Sequence, residues 1–220
     1  MIFSKNFLLL YGITDRAQLG SQTLSQKVEA AILGGATIIQ LREKSLDNES
    51  FIREAVEIGN ICHNHNIPLI INDNVEVALK SGADGVHVGA EDKPVAEIRK
   101  YTGKDFIIGA TAKTVAQAKL AEKSGADYLG VGAVFPSPTK RNAIRITNEQ
   151  LREISSAVNF PVVAIGGINK DNITKLKGSG IDGVAVVSAI FSADNPKAAA
   201  TELAALSKSI LSGASLDKLA

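Results

Sequence analysis

Along the chain, short and almost wholly apolar runs alternate with longer stretches whose apolar residues recur every three or four positions. The runs are Leu8–Ile13, Thr37–Leu41, Leu69–Ile71, Gly85–Val88, Phe106–Gly109, Tyr128–Val131, Val162–Ile165 and Gly183–Val187. Between them the helical period is clear over Leu24–Leu33, Phe51–His63, Val95–Tyr101, Val115–Lys123, Glu149–Ala157 and Ile173–Lys177, and Ala198–Leu211 follows the last run. Runs that are apolar throughout, rather than at every second residue, predict parallel strands covered on both faces. Strict alternation of strand and helix predicts right-handed crossovers between them.

The pattern also repeats itself. Gly35-Ala36-Thr37, Gly82-Ala83-Asp84, Gly125-Ala126-Asp127 and Gly180-Ile181-Asp182 each close a helix and open a strand, at intervals of roughly 50 residues. Glycine suits that junction because it can end a helix with positive φ at no Cβ cost. Each period holds two strand–helix units, so four periods give eight. The predicted fold is α/β, a single (β/α)₈ TIM barrel over residues 1–220, somewhat smaller than the ~250 residues typical of that architecture. The alternative, an open doubly wound sheet, lacks its Gly-x-Gly-x-x-Gly turn after the first strand. Residues 212–220, small and polar, are expected to fray.

Composition narrows the function. With 45% hydrophobic and 21% charged residues, disordered, collagen-like and coiled-coil classes are excluded. Lys plus Arg number 24 against 23 Asp plus Glu, a net charge of +1, so no broad basic surface is expected for nucleic acid or for an anionic membrane. The lone cysteine, Cys62, cannot form an internal disulfide or a cysteine zinc cluster, which suits a reducing compartment. The apolar stretch Phe7–Ile13 is too short for a signal peptide and no run is long enough to span a bilayer, so a cytoplasmic location is expected.

In a barrel of this kind the site lies where the strands end, and polar residues gather there. After the second run come Gln40, Arg42, Glu43 and Lys44; after the third, Asn72 and Asp73; near the fourth, His87 and Asp92; after the fifth, Thr111. Ser137, Thr139 and Lys140 occupy a proline-containing loop after the sixth, Gly167 follows the seventh, and Val187–Ser188 close the eighth. Residues two apart on a strand share a face, so Gln40 and Arg42, and by extension Lys44, point the same way. Cations facing a barrel mouth need anionic partners. An ion pair with Glu43 or Asp73 would suffice for one; a diphosphate explains both.

Asp73 and Asp92 lie on neighbouring rims, and two carboxylates plus substrate phosphates are a usual magnesium set. Asp92 alone could equally cap the helix that starts near Lys93-Pro94. Gly167, Val187 and Ser188 lie where such barrels often bind phosphate through backbone N–H groups, and Ser137, Thr139 and Lys140 suit the same ligand. Cys62, His63 and His65 fall on the opposite face of the barrel and carry no site. His87 points inward and could line the site, where a satisfied interior histidine and an acid–base role are the two alternatives, and no nucleophile triad can be drawn. The residues alone thus predict a magnesium-bound diphosphate near strands two to four and a monophosphate near strands six to eight.

Taken together, Tyr11-Gly12-Ile13-Thr14-Asp15, Gln40-Leu41-Arg42-Glu43-Lys44, Ile71-Asn72-Asp73, Gly85-Val86-His87-Val88-Gly89, Val134-Phe135-Pro136-Ser137-Pro138-Thr139-Lys140 and Ala164-Ile165-Gly166-Gly167-Ile168 closely resemble the thiamine-phosphate synthase family. The resemblance runs from about Leu9 to Leu206. It implies a transferase that joins 4-amino-5-hydroxymethyl-2-methylpyrimidine diphosphate to hydroxyethylthiazole phosphate or its carboxylated form. By motif, Gln40, Arg42, Lys44 and Asn72 would meet the pyrimidine diphosphate, Asp73 and Asp92 would hold Mg²⁺, and Lys140 would contact the diphosphate. Arg42, Lys44 and Lys140 would be its catalytic cations. Thr111 stands where the family usually has serine. Ser137, Thr139, Gly167, Val187 and Ser188 would take the thiazole phosphate. Ile144–Thr147 departs from the family pattern outside these positions. Thiazole tautomerases resemble the same barrel but would not need both the cations and the carboxylates, and a non-catalytic sensing barrel would show an incomplete site. The oligomeric state stays open, a homodimer being one arrangement.

Overall fold

In the computed structural model, which describes residues 2–137 and 144–211, eight parallel strands close into a barrel in sequence order. They are β1 (Leu10–Ile13), β2 (Ile38–Leu41), β3 (Leu69–Asn72), β4 (Gly85–Val88), β5 (Ile107–Ala112), β6 (Tyr128–Gly132), β7 (Val162–Ile165) and β8 (Gly183–Val186), and β1 pairs with both β2 and β8. The predicted TIM barrel is the observed fold.

The fourfold repeat has a physical cause. Asp84, Asp127 and Asp182 each clamp the strand before them at both backbone groups. Their carboxylates accept from Leu69, Ile108 and Val162 N–H at 2.9, 2.7 and 2.9 Å, while their own N–H groups donate to the carbonyls of the same three residues. Thr37 makes the same clamp on Leu10 with its hydroxyl. The four glycines two positions earlier, Gly35, Gly82, Gly125 and Gly180, all have positive φ, which sends the chain from helix into clamp.

Alternation along the strands divides the core in two. Tyr11, Ile13, Ile38, Ile70, Ile107, Tyr128, Val163 and Ala185 fill the barrel, whose floor is closed by Leu8 of a 3₁₀ turn (Lys5–Leu8) and by Phe3 stacked on Tyr128. Leu10, Ile39, Leu41, Ile71 and Val86 point outward against the helices. Each such buried side chain contributes roughly 1.5–3 kcal/mol. The helices are α1 (Leu24–Leu33), α2 (Asn48–Asn64), α3 (Val75–Ser81), α4 (Val95–Thr102), α5 (Val115–Lys123), α6 (Asn148–Ser156), α7 (Ser188–Phe191) and α8 (Pro196–Leu211). Thr23 with Gln26 and Thr147 with Gln150 form capping boxes on α1 and α6, and Asp47, Asn74 and Thr114 cap α2, α3 and α5.

Three elements differ from the sequence reading. Strand β5 runs to Ala112, so Thr111 lies within it, paired with Gly130, rather than after it. The expected helix over Ile173–Lys177 is a single 3₁₀ turn, Ile173–Leu176, closely followed by Gly178 and Gly180 with positive φ. Helix α3, only seven residues long, is too short to show a period in the sequence. Thr139 and Lys140, and the tail 212–220, lie outside the described residues.

Candidate active site

Gln40 is the last inward residue of β2 before Arg42, and the loop that carries Arg42 and Lys44 is tied down on both sides. Thr14 donates its backbone N–H to the Gln40 carbonyl and accepts the Arg42 N–H on its hydroxyl at 3.0 Å. Glu43 turns away from the cations flanking it. Its carboxylate accepts from Arg16 Nε at 2.6 Å and from the Lys44 N–H at 2.8 Å, and Ser45 adds its N–H and hydroxyl. Arg16 continues to Glu54, so β1 and β2 loops are fastened through Glu43. Burial alone would raise the Glu43 carboxyl, but these bonds outweigh it and hold it below the usual range. Among the described residues, Arg42 and Lys44 have no ion-pair partner. A cavity of about 290 Å³ lies here, lined by Asp15, Arg16, Arg42, Glu43 and Lys44. The alternative of an ion pair between these cations and Glu43 or Asp73 is therefore not found among the described residues.

On the next rims the carboxylates are forced together. Asp73 has left-handed backbone (φ 62°), held there as its N–H donates to the His87 carbonyl at 2.8 Å. Asn72 Nδ2 donates to Asp73 Oδ2 at 2.5 Å. Asp92 accepts the Gly89 N–H at 2.7 Å on Oδ2, and its side chain also meets that of Asp73. Desolvation, followed by the charge and contact of Asp92, pushes the Asp73 carboxyl up to about 6; Asn72 and the charge of Lys44 pull against that rise. Asp92 is not the cap of α4, whose N-cap is Pro94 without a side-chain bond. Two carboxylates crowded at one rim form a donor set for a hard divalent cation, and no group of three or more metal-type ligands exists among the described residues.

Across the mouth, Gly167 has φ 65°, and a Cβ there would overlap the carbonyl oxygens of Phe135 and Pro136. Its glycine is thus required by the loop that carries Ser137, whatever else approaches it. Val187 caps α7, which begins at Ser188, and Ile190 and Phe191 donate back to the Val187 carbonyl. First-turn N–H groups of a helix have no partner within it. The far end of α7 is held by the buried Lys27, whose Nζ donates to the Phe191 carbonyl at 2.5 Å.

Beneath the rim lies a feature absent from the sequence reading. Gln40 Nε2 donates to the Tyr11 hydroxyl at 2.8 Å, Tyr11 meets the Tyr128 hydroxyl at 2.7 Å, Tyr128 meets His87 Nδ1 at 3.2 Å, and His87 Nε2 meets Thr111 Oγ1 at 3.0 Å. Burial lowers the His87 pKa to about 4, so the ring is neutral near pH 7. His87 is the satisfied interior histidine of the two alternatives. The signal available in the sequence was parity: Tyr11 and Tyr128 sit at inward strand positions, where a buried phenol needs a partner. His63, on the opposite face, is engaged by Asp84 at 2.8 Å and Cys62 is buried.

A closed parallel barrel whose cations, carboxylates and helix start converge on one rim defines an enzyme of the (β/α)₈ class. Residues 10–190 match the family model described as thiamine monophosphate synthase. The thiamine-phosphate synthase of Clostridium tetani is 48% identical over 88% of this chain and 93% of its own, and that of Clostridium beijerinckii is 49% identical over the same shares. The solved structure of a thiamine phosphate pyrophosphorylase from Pyrococcus furiosus superposes with a TM-score of 0.87 at 39% identity, covering 94% of this chain and 98% of that one. The chain belongs to the thiamine monophosphate synthase family.

Proposed function

We propose that the protein is a magnesium-dependent transferase that joins 4-amino-5-hydroxymethyl-2-methylpyrimidine diphosphate to hydroxyethylthiazole phosphate, or its carboxylated form, giving thiamine phosphate and diphosphate. The observation that carries this reading is the rim itself, where unpaired Arg42 and Lys44 stand beside a crowded Asp73–Asp92 pair. Among the described residues neither cation forms an ion pair, and the two carboxylates repel each other. A metal-bound diphosphate relieves both at once. Family names carried by close relatives support the same reaction.

In this reading Asp73 and Asp92 would hold Mg²⁺, which when bound neutralises diphosphate charge and makes it a better leaving group. Arg42 and Lys44, with Lys140 from outside the described residues, bind the diphosphate oxygens. Their charges are pre-placed where negative charge grows as the C–O bond of the pyrimidine methylene breaks. Gln40, Asn72 and Thr111 orient the pyrimidine. Ser137, Thr139, Gly167, Val187 and Ser188 hold the thiazole phosphate, so that the ring nitrogen faces the methylene cation as the diphosphate departs. Positioning two substrates in one water-poor cavity does the remaining work, and no protein nucleophile takes part. Purified protein given both substrates accumulates thiamine phosphate with Mg²⁺ and stops on chelation. Asp92→Ala raises the Mg²⁺ concentration needed for half-maximal rate at least tenfold in order of magnitude. A folded variant with unchanged Mg²⁺ dependence removes Asp92 from the metal site.

A further inference from the structure

Five side chains from five strands are joined across the barrel interior, in the order Gln40, Tyr11, Tyr128, His87, Thr111. Space has been left for them. A Cβ on Gly109 would overlap the Tyr128 ring tip and crowd His87 Nδ1 at 2.5 Å, and one on Gly130 would stand 3.0 Å from His87 Cε1. Tyr11 and Tyr128 are fully buried, so each hydroxyl must satisfy its proton inside the protein.

The Gln40 amide, with Nε2 toward the Tyr11 hydroxyl, sets the sense of the chain. With Gln40 Nε2 donating to Tyr11, the Tyr11 proton passes to the Tyr128 oxygen, the Tyr128 proton to His87 Nδ1, and the His87 Nε2 proton to Thr111 Oγ1. The reverse sense, with Tyr11 donating to Gln40, requires that amide to turn over and present Oε1 to the hydroxyl. With the amide as it stands, the histidine is the Nε2–H tautomer. Gln40 is left with Oε1 as a free acceptor, and Thr111 with its hydroxyl proton as a free donor.

We propose that Tyr128 is a positioning residue that sets substrate specificity: through Tyr11 and His87 it locks the Gln40 amide so that the base of the rim site offers a carbonyl acceptor to the exocyclic amine of an aminopyrimidine and refuses the corresponding oxo compound. This rests on the pyrimidine diphosphate reading above. The physical content is the flip of one amide. While Tyr128 accepts the Tyr11 proton, Gln40 can only donate downward. Without the Tyr128 hydroxyl, Tyr11 is free to donate to Gln40 Oε1, the amide turns over, and its NH₂ faces the ligand.

Tyr128→Phe keeps the ring and removes the hydroxyl. It is expected to raise KM for the 4-amino pyrimidine diphosphate about tenfold, the factor that one misoriented hydrogen bond supplies. KM for the thiazole phosphate stays the same, and discrimination against the 4-oxo analogue falls by at least the same factor. Tyr11→Phe, which frees Gln40 while keeping the Tyr128–His87 bond, erodes discrimination in the same direction and covers the case in which the first variant folds poorly. Nitrogen-15 NMR of wild-type protein labelled in its histidines reads the relay without any turnover. An Nε2–H, unprotonated-Nδ1 signal for His87 upholds it, and an Nδ1–H signal overturns it. A folded Tyr128→Phe that keeps the full amino-over-oxo preference also overturns the proposal. Wild-type protein that makes no thiamine phosphate would instead fail the functional reading, and the tautomer measurement would still decide the relay.

Discussion

Asp73 is costly to fold. It takes left-handed backbone, and its carboxyl is raised from 3.8 to about 6 by desolvation and by Asp92. A raised carboxyl pKa means that the folded state binds the proton more tightly than the unfolded chain. Stability from this group is full below about pH 4 and is lost as pH rises through 6. His87 works in the opposite sense. Held down to about 4 by burial, it favours folding above pH 6.5 and withdraws that support as pH falls through 4. Wild-type stability mixes the two slopes, so a difference is the useful quantity. In metal-free buffer, Asp92→Asn should gain melting temperature relative to wild type as pH rises from about 4 to about 7. A gap that stays constant with pH would show that the two carboxylates do not repel. The inward direction of Gln40 was legible because strand parity is a local property. The Tyr11–Tyr128 contact was not, since it joins residues 117 apart and depends on barrel closure and stagger. Gly167 was legible as a necessary glycine, but its cause, the Phe135–Pro136 backbone against it, belongs to another loop.

Among the strands and helices, the clamps by Thr37, Asp84, Asp127 and Asp182 explain why the repeat is visible in the sequence at all. Each fixes the register between an odd strand and the even strand after it, and a slip of one residue would turn every inward side chain outward. Asp182→Ala would leave the buried Val162 N–H unpaired. It is expected to cost about 1–3 kcal/mol, read as a shift in denaturant midpoint at unchanged slope. A loss below ~0.5 kcal/mol would mean that the clamp is ornamental. Elements that escaped the sequence reading did so for physical reasons. Gly109-Ala110-Thr111-Ala112 is small and reads as a strand end, yet it pairs with β6, and at Gly109 the missing side chain makes room for Tyr128 and His87. The segment after β7 has a helical period, but glycines at 178 and 180 leave it one turn.

For the molecule as a whole, a net charge of +1 hides strong local asymmetry. In the proposed site the cations are few, which suits small phosphates better than polyanions. No helix among the described residues is long and apolar enough to cross a membrane. The barrel supplies rigidity and the rim supplies chemistry. Their joint claim is that one site couples diphosphate departure to carbon–nitrogen bond formation. The most direct test follows both products in one reaction containing the pyrimidine diphosphate, the thiazole phosphate and Mg²⁺. Diphosphate and thiamine phosphate should appear together in equal amounts, and both should cease when the metal is chelated. Diphosphate released without thiamine phosphate, or a thiazole phosphate isomerised with no diphosphate released, would contradict it.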